Sequence, residues 1–92
     1  MRVKVSDVAE RDIWRLSDFL HQKNPRAADA AVDLILEGMT SLSDMADRGQ
    51  PLGDGRIREL FLPFGRGTYI LQYHVYAEEV VVLRIFHSRE DR

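Results

Sequence analysis

The 92-residue sequence predicts an α+β fold in which a helical hairpin packs on one face of a small, mainly antiparallel sheet. Three observations lead to this fold class. One short segment near the start alternates polar and apolar residues, two longer segments carry apolar residues at helical spacing, and three later segments are rich in β-branched and aromatic residues. The predicted order is β-α-α-β-β-β. We expect a single domain over residues 1–92, because a chain of this length builds one core.

The first half of the chain predicts one strand and two helices. Residues 2–6 alternate as a half-buried strand does, and Ser6 offers the side chain of a helix N-cap. The first helix should run to about Gln22 and the second should begin near Pro25, a residue suited to the first helical turn. Small residues on the inner stripe of the second helix would let the first helix approach closely. That stripe is predicted as Ala27, Ala31, Leu34, Gly38, Leu42 and Met45.

The second half predicts a loop followed by three strands. Residues 49–55 are rich in glycine and include a proline, which predicts a loop. Strands are predicted over residues 57–62, 68–76 and 80–87. The last of them is the most apolar segment of the chain, and we therefore expect it to be a central strand.

Composition indicates a cytoplasmic protein without a metal or a cofactor. The formal net charge is −2, which does not favour binding to nucleic acid, and the sequence contains no cysteine. Three histidines are scattered singly, so a zinc site is not expected. No apolar run approaches the roughly 20 residues that span a bilayer. The polar, acidic start of the chain does not resemble a signal peptide, and we expect no contact with a membrane.

Apolar residues outside the predicted inner stripes indicate a protein-binding surface. Trp14 lies well round the first helix from the stripe that faces the core, and the second helix is apolar over more than one face. The residues that we expect to form an apolar groove across the hairpin are Trp14, Val32, Leu36 and Met39. Such a groove could accept a helix of a partner that is disordered when alone. Homodimerisation through the same surface is the alternative.

Three segments of the second half resemble the RelE/ParE superfamily of toxins from type II toxin–antitoxin systems. In this family an R-x-L precedes a Y-x-x-x-Y strand, and a hydrophobic strand then ends in H-x-R or H-x-x-R. The matching segments are Arg58-Glu59-Leu60, Tyr69-Ile70-Leu71-Gln72-Tyr73 and residues 82–91, which contain His87-Ser88-Arg89. The helical half fits more loosely, at Ala9, Asp12 and Ile13 and at the entry to the second helix. The resemblance covers nearly the whole chain and is closer to ParE.

The resemblance implies a toxin that is neutralised by a cognate antitoxin, in a toxin–antitoxin hetero-oligomer of the kind found in plasmid-stabilisation systems. ParE-like members inhibit DNA gyrase, whereas RelE-like members are ribosome-dependent, metal-independent mRNA endoribonucleases. If this chain is a nuclease, the resemblance assigns its site to Arg58, His87 and Arg89. A third possibility is an inactive member that only binds its antitoxin and co-represses their promoter.

Three features favour gyrase inhibition over an enzyme. The only lysines are Lys4 and Lys23, the net charge is negative, and no acid or base is expected beyond Arg92. Structural roles remain open for the nuclease candidates: Arg58 could form a surface ion pair, and His87 could be a buried, hydrogen-bonded residue. The strand spacing places Arg84 on the opposite face from His87, which favours a structural or partner-binding role for Arg84. Residues 89–92 are expected to form a solvated tail.

Overall fold

Two helices and five strands make up the computed structural model, which describes residues 1–90. The elements are β1 (Arg2–Val5), α1 (Asp7–His21), α2 (Pro25–Ser41), β2 (Gln50–Leu52), β3 (Ile57–Phe64), β4 (Gly67–Val75) and β5 (Glu79–His87). The predicted α+β class and the predicted order are confirmed, with β2 as an additional strand. In the part of the chain that is described, no helix is long and apolar enough to cross a membrane.

The five strands form one mixed sheet in the order β1-β5-β4-β3-β2. Only the pairing of β1 with β5 is parallel; the other three pairings are antiparallel. The apolar strand β5 pairs on both sides, as expected, although the middle strand of the five is β4. Strand β2 was predicted as a loop because it contains Pro51. It lies at the sheet edge, where a proline is tolerated because one side of the strand needs no hydrogen bonds.

The helix boundaries follow from the capping residues that the sequence offers. The Ser6 side chain accepts a hydrogen bond from the Ala9 amide at 3.0 Å, and the Asn24 side chain accepts one from the Ala27 amide at 3.2 Å. Helix α1 ends one residue before the predicted Gln22. Helix α2 begins at Pro25, as predicted. The short connection between the helices folds them into the expected hairpin.

The core lies between this hairpin and one face of the sheet, and it corrects the predicted stripe of α2. The residues of α2 and its C-cap that are buried there are Ala28, Ala31, Ile35, Gly38, Met39 and Leu42. Met45 was predicted to face inward, but it lies beyond the end of α2 and is exposed. Gly38 has its closest contact with the sheet rather than with α1. A Cβ atom added to Gly38 would lie 2.7 Å from a methyl carbon of Leu62 in β3, so this glycine lets the sheet approach.

Candidate functional site

An apolar groove crosses the outer side of the helical hairpin. Trp14 projects from the middle of α1 with 63% of its surface exposed, and Leu36 of α2 is 46% exposed. Together with Ile13 and Val32 these side chains line a groove of about 240 Å³, which Glu10 and Ser17 complete. Three of the four residues predicted for this surface therefore come together. Ile13, which also lines the groove, was not among the four predicted residues.

Met39, the fourth predicted residue, does not line the groove. It is only 6% exposed and packs in the hydrophobic core. Each residue of an α-helix turns 100°, so a step of three residues from Leu36 to Met39 brings the side chain back by about 60°. That rotation carries Met39 to the side of α2 that faces the sheet. Helical spacing alone did not show that Leu36 is exposed whereas Met39 is covered.

The candidate His87 lies at the end of β5 beside a second apolar pocket. This pocket, of about 370 Å³, is lined by α1 residues, by Tyr69 and by His87, and the ion pair between Arg15 and Glu90 lies at its rim. The rings of His87 and Tyr69 meet edge to face, with their centroids 5.2 Å apart. The surroundings of His87 are thus largely apolar.

Both ring nitrogens of His87 lie against the backbone of neighbouring residues. The amide of Arg89 donates a hydrogen bond to Nδ1 at 3.2 Å, so the neutral ring carries its proton on Nε2. A Cβ atom at Gly67 would lie 2.5 Å from Nε2, and the absence of a side chain there is what gives the ring its place. His87 is therefore hydrogen-bonded, which agrees with the structural role that was the alternative to a role in a nuclease site.

Arg58 anchors a loop. Its guanidinium donates hydrogen bonds to the carbonyl oxygens of Asp47 at 3.0 Å and Gly49 at 2.9 Å. Its cross-strand neighbour Tyr73 holds the same segment, because its hydroxyl donates to the carbonyl of Ala46 at 2.7 Å and accepts from the amide of Gly49 at 2.9 Å. These contacts fix the connection between α2 and β2. The arginine bonds to carbonyl oxygens rather than to the surface acid considered from the sequence.

The register separates Arg58 from His87. Arg58 of β3 lies opposite Tyr73 of β4, whereas His87 of β5 lies opposite Tyr69 of β4. Four residues along a strand span about 13 Å, and two strand spacings span about 10 Å, so the two backbone positions are about 16 Å apart. The fold therefore leaves Arg58 at a distance from His87 and from Arg89, which follows His87 by two residues in the chain.

Neither of the two tyrosines near these candidates can act as a base at neutral pH. Burial raises the pKa of the Tyr69 hydroxyl, and the nearby carboxylate of Glu90 raises it further. Burial also raises the pKa of the Tyr73 hydroxyl. Both hydroxyl groups therefore keep their protons at neutral pH. Among residues 1–90 no group of three or more histidine or acidic side chains could hold a metal ion.

Arg84 was predicted to have either a structural or a partner-binding role, and its contacts within the chain give it a structural role. It forms an ion pair with the Asp12 carboxylate, with Nε 2.8 Å from Oδ2 and a second hydrogen bond at 3.2 Å. Arg15 and the amide of Ile85 also donate to this carboxylate, at 3.1 and 2.9 Å. Burial acts to raise the pKa of Asp12, but the hydrogen bonds from Arg84, Ile85 and Arg15 outweigh it and hold the pKa below its usual value.

The sequence contained a sign of this network that was not used. Asp12 lies on the apolar stripe of α1, three residues after Ala9 and four before Leu16, and it is only 4% exposed. An acid at a core-facing position needs a cationic partner, because burying an unpaired charge is costly. Asp91 and Arg92, which belong to the tail predicted to be solvated, lie outside the described residues.

Comparison with known proteins identifies the family. The family model of the ParE toxin of the type II toxin–antitoxin system parDE matches residues 3–92. The chain belongs to this family. The ParE-family toxin is 41% identical to Toxin RelE3 of Caulobacter vibrioides over 90 residues, which cover 98% of this chain and 97% of that protein. It is 37% identical to Toxin RelE1 of the same organism, again over 90 residues, which cover 98% and 96% of the two chains.

Two solved structures share the fold of this ParE-family toxin. A chain of the chromosomal ParDE toxin–antitoxin system from P. aeruginosa superposes with a TM-score of 0.75 at 26% identity, over 92% of each chain. A chain of the RelBE2 toxin–antitoxin complex from Mycobacterium tuberculosis superposes with a TM-score of 0.62 at 29% identity, over 94% of this chain and 95% of that one. The protein is thus a type II toxin of the RelE/ParE superfamily, and the predicted resemblance is confirmed.

Proposed function

We propose that this toxin acts by binding and inhibiting DNA gyrase, and that it does not cleave RNA. The observation that carries the proposal is the distance of about 16 Å between the backbones of Arg58 and His87, taken from the strand register. Metal-independent RNA cleavage needs a base, an acid and a cation around one phosphate. Arg58 could span such a distance only with a free guanidinium, and its guanidinium is held by the carbonyl oxygens of Asp47 and Gly49.

The bonding of the candidate residues supports the same proposal. The Arg58 guanidinium is engaged with two backbone carbonyl oxygens, and the Nδ1 atom of His87 accepts a hydrogen bond from Arg89. A general base must have a nitrogen free to reach the proton that it removes. The net charge of −2 adds to the argument, because binding to ribosomal RNA favours a strongly basic surface.

We further propose that a cognate antitoxin neutralises the toxin by laying an amphipathic helix into the groove of Trp14, Val32 and Leu36, within a toxin–antitoxin hetero-oligomer. A large exposed tryptophan beside exposed aliphatic residues is typical of a protein interface, and Trp14 has the character of an anchor residue. The structural neighbours come from a ParDE system and from a RelBE2 complex, and each of these pairs a toxin with an antitoxin.

The groove is tested by the double substitution Trp14→Ala with Leu36→Ser, assayed by pull-down of the antitoxin encoded beside the toxin gene. Both side chains are exposed, so the fold should survive while binding is lost. The matched control is Phe61→Ser, which removes a side chain with 45% exposure from the sheet and should leave binding intact. Undiminished capture by the groove variant would refute this assignment.

The second candidate function is mRNA cleavage. It is favoured by the nearness of Arg89 in sequence to His87 at the end of β5, and by the names of the relatives Toxin RelE3 and Toxin RelE1. In this case His87 and Arg89 would act without Arg58. The third candidate is an inactive member that only binds its antitoxin and co-represses their promoter.

Production of the toxin alone in growing bacteria separates the three candidates. Gyrase inhibition predicts filamentation with a DNA-damage response, intact mRNA, and loss of supercoiling activity when purified toxin is added to gyrase. Arg89→Ala, a change at an exposed position, should leave this toxicity unchanged. Immediate arrest of translation with cut mRNA, abolished by Arg89→Ala, would support the nuclease instead. Normal growth with retained antitoxin binding would leave only the inactive member.

A further inference from the structure

Three carboxylates follow one another at intervals of four residues along α2. Asp29, Asp33 and Glu37 are all exposed and form an acidic ladder on the solvent side of this helix. No ion pair joins any of them to a cation within residues 1–90. Elsewhere on the surface, Asp54 pairs with Arg56 and Glu79 lies beside two basic side chains.

The acidic ladder does not serve the stability of α2. Like charges four residues apart on a helix repel each other, and this destabilises the helix. Glu37 also lies in the second half of α2, towards the negative end of the helix dipole, and no basic residue lies in the last turn to compensate. The ladder therefore adds nothing to the stability of the isolated helix, and its charges are available to a partner.

The ladder borders the apolar groove. On a helix that turns 100° per residue, Asp29 lies about 20° and Asp33 about 60° round from Leu36, on the side away from the core. Leu36 belongs both to the groove and to a neighbouring depression lined by Asp33 and Glu37. Glu10 of α1 lines the groove as well. The groove therefore has apolar side chains at its base and acidic groups along its margins.

Two basic groups near the C-terminal end of α2 bond to atoms other than the ladder carboxylates. Arg48 donates a hydrogen bond to the Ser41 hydroxyl at 2.7 Å, and the ammonium group of Met1 donates one to the carbonyl of Ser43 at 2.8 Å. Both contacts lie beyond Glu37, at the end of α2 and in the turn that follows. The negative charge beside Leu36 is consequently open to a partner.

We propose that the acidic ladder and the groove form one docking surface that selects a basic amphipathic helix of the antitoxin. This inference rests on the proposed groove. The partner helix places apolar side chains in the groove at intervals of three and four residues, and its lysine or arginine side chains lie along the flank that faces Asp29, Asp33 and Glu37. The charges speed association and exclude antitoxins with an acidic flank, while the apolar contacts hold the complex together.

Two synthetic helical peptides of 18 residues test the inference. Both peptides carry the same stripe of leucine and alanine, and neither contains tryptophan or tyrosine. One carries lysine along one flank and the other carries glutamate at the same positions. Trp14 is the sole tryptophan of the toxin, so its fluorescence reports groove occupancy directly. At low salt we expect the lysine peptide to bind about tenfold tighter than the glutamate peptide, from two or more pairs at the margin. This ratio should fall towards one at high salt.

Charge reversal on the toxin supplies the matched comparison. Asp33→Lys should abolish the preference for the lysine peptide, whereas Glu78→Lys reverses one exposed charge in the turn between β4 and β5 and should preserve it. Equal binding of both peptides to the unaltered toxin would overturn the charge selection and leave the groove standing. If neither peptide changes the Trp14 emission, the groove and the selection both fail.

Discussion

Replacing Asp12 by asparagine removes the charge around which α1 and β5 are joined. The carboxylate accepts two hydrogen bonds from Arg84, one from Arg15 and one from the amide of Ile85. An asparagine has the same shape and can still accept from Ile85 through its one oxygen. The substitution therefore isolates the contribution of the negative charge from that of packing.

The expected loss follows from the exposure of the partners. A hydrogen bond to a charged group contributes about 1.5–3 kcal/mol when it is buried. The Arg84 side chain is 42% exposed and that of Arg15 is 44% exposed. Water can therefore replace part of the hydrogen bonding that each arginine loses when the Asp12 carboxylate is removed. We expect Asp12→Asn to lower the free energy of unfolding by about 2 kcal/mol. Asp12→Ala should lower it by about 4 kcal/mol, because the Ile85 amide then lacks its acceptor.

The assay is urea denaturation followed by Trp14 fluorescence, at neutral pH and in acid. The pKa of Asp12 is lower in the folded protein than in the unfolded chain, so its contribution is complete above the unfolded-state pKa of about 4. It disappears as the pH falls through the lower, folded-state pKa. The difference in the free energy of unfolding between the unaltered toxin and the Asp12→Asn variant should therefore shrink as the pH falls.

The control is Asp54→Asn, which breaks the exposed pair with Arg56 and should leave stability unchanged. An Asp12→Asn variant as stable as the unaltered toxin at neutral pH would refute this account of the network. A difference that stays constant as the pH falls would refute it equally.

Further predictions concern the loop after α2 and the end of β5. Tyr73→Phe should lower the free energy of unfolding by about 2 kcal/mol, measured by thermal denaturation, because the buried amide of Gly49 loses its acceptor. Arg58→Gln should increase proteolytic nicking near residues 47–49 while leaving gyrase inhibition intact, and loss of inhibition with an unchanged loop would contradict the anchoring role. Gly67→Ala should cost about 1–3 kcal/mol and shift the NMR signals of the His87 ring, since a Cβ atom there meets Nε2; unchanged His87 signals would contradict this close packing.

Local chemistry explains which elements were predictable. Ser6, Asn24 and Pro25 mark the helix ends through contacts with residues three or four positions away, so the signal is contained in a few neighbouring letters. Strand β2 escaped prediction because its three residues are exposed and their pairing with β3 is a contact with another segment. A short edge strand leaves no periodic pattern in its own sequence.

The candidate site shows the same division. Helical periodicity placed Trp14, Val32 and Leu36 away from the core, but it could not show that Met39 is covered by the sheet. The sequence put Arg58, His87 and Arg89 on one list of candidates. Only the register across β3, β4 and β5 revealed that Arg58 is remote from the other two.

The sequence by itself determined the family, the order of the main elements and the presence of surplus apolar residues on the hairpin. These properties depend on composition, spacing and short-range contacts, which the linear order contains. The tertiary structure decided which residues meet: Asp12 with Arg84, Gly38 with Leu62, and Trp14 with Leu36 beside the acidic ladder. Such meetings depend on strand register and on the rotation of each helix, and one residue of shift in either changes every partner.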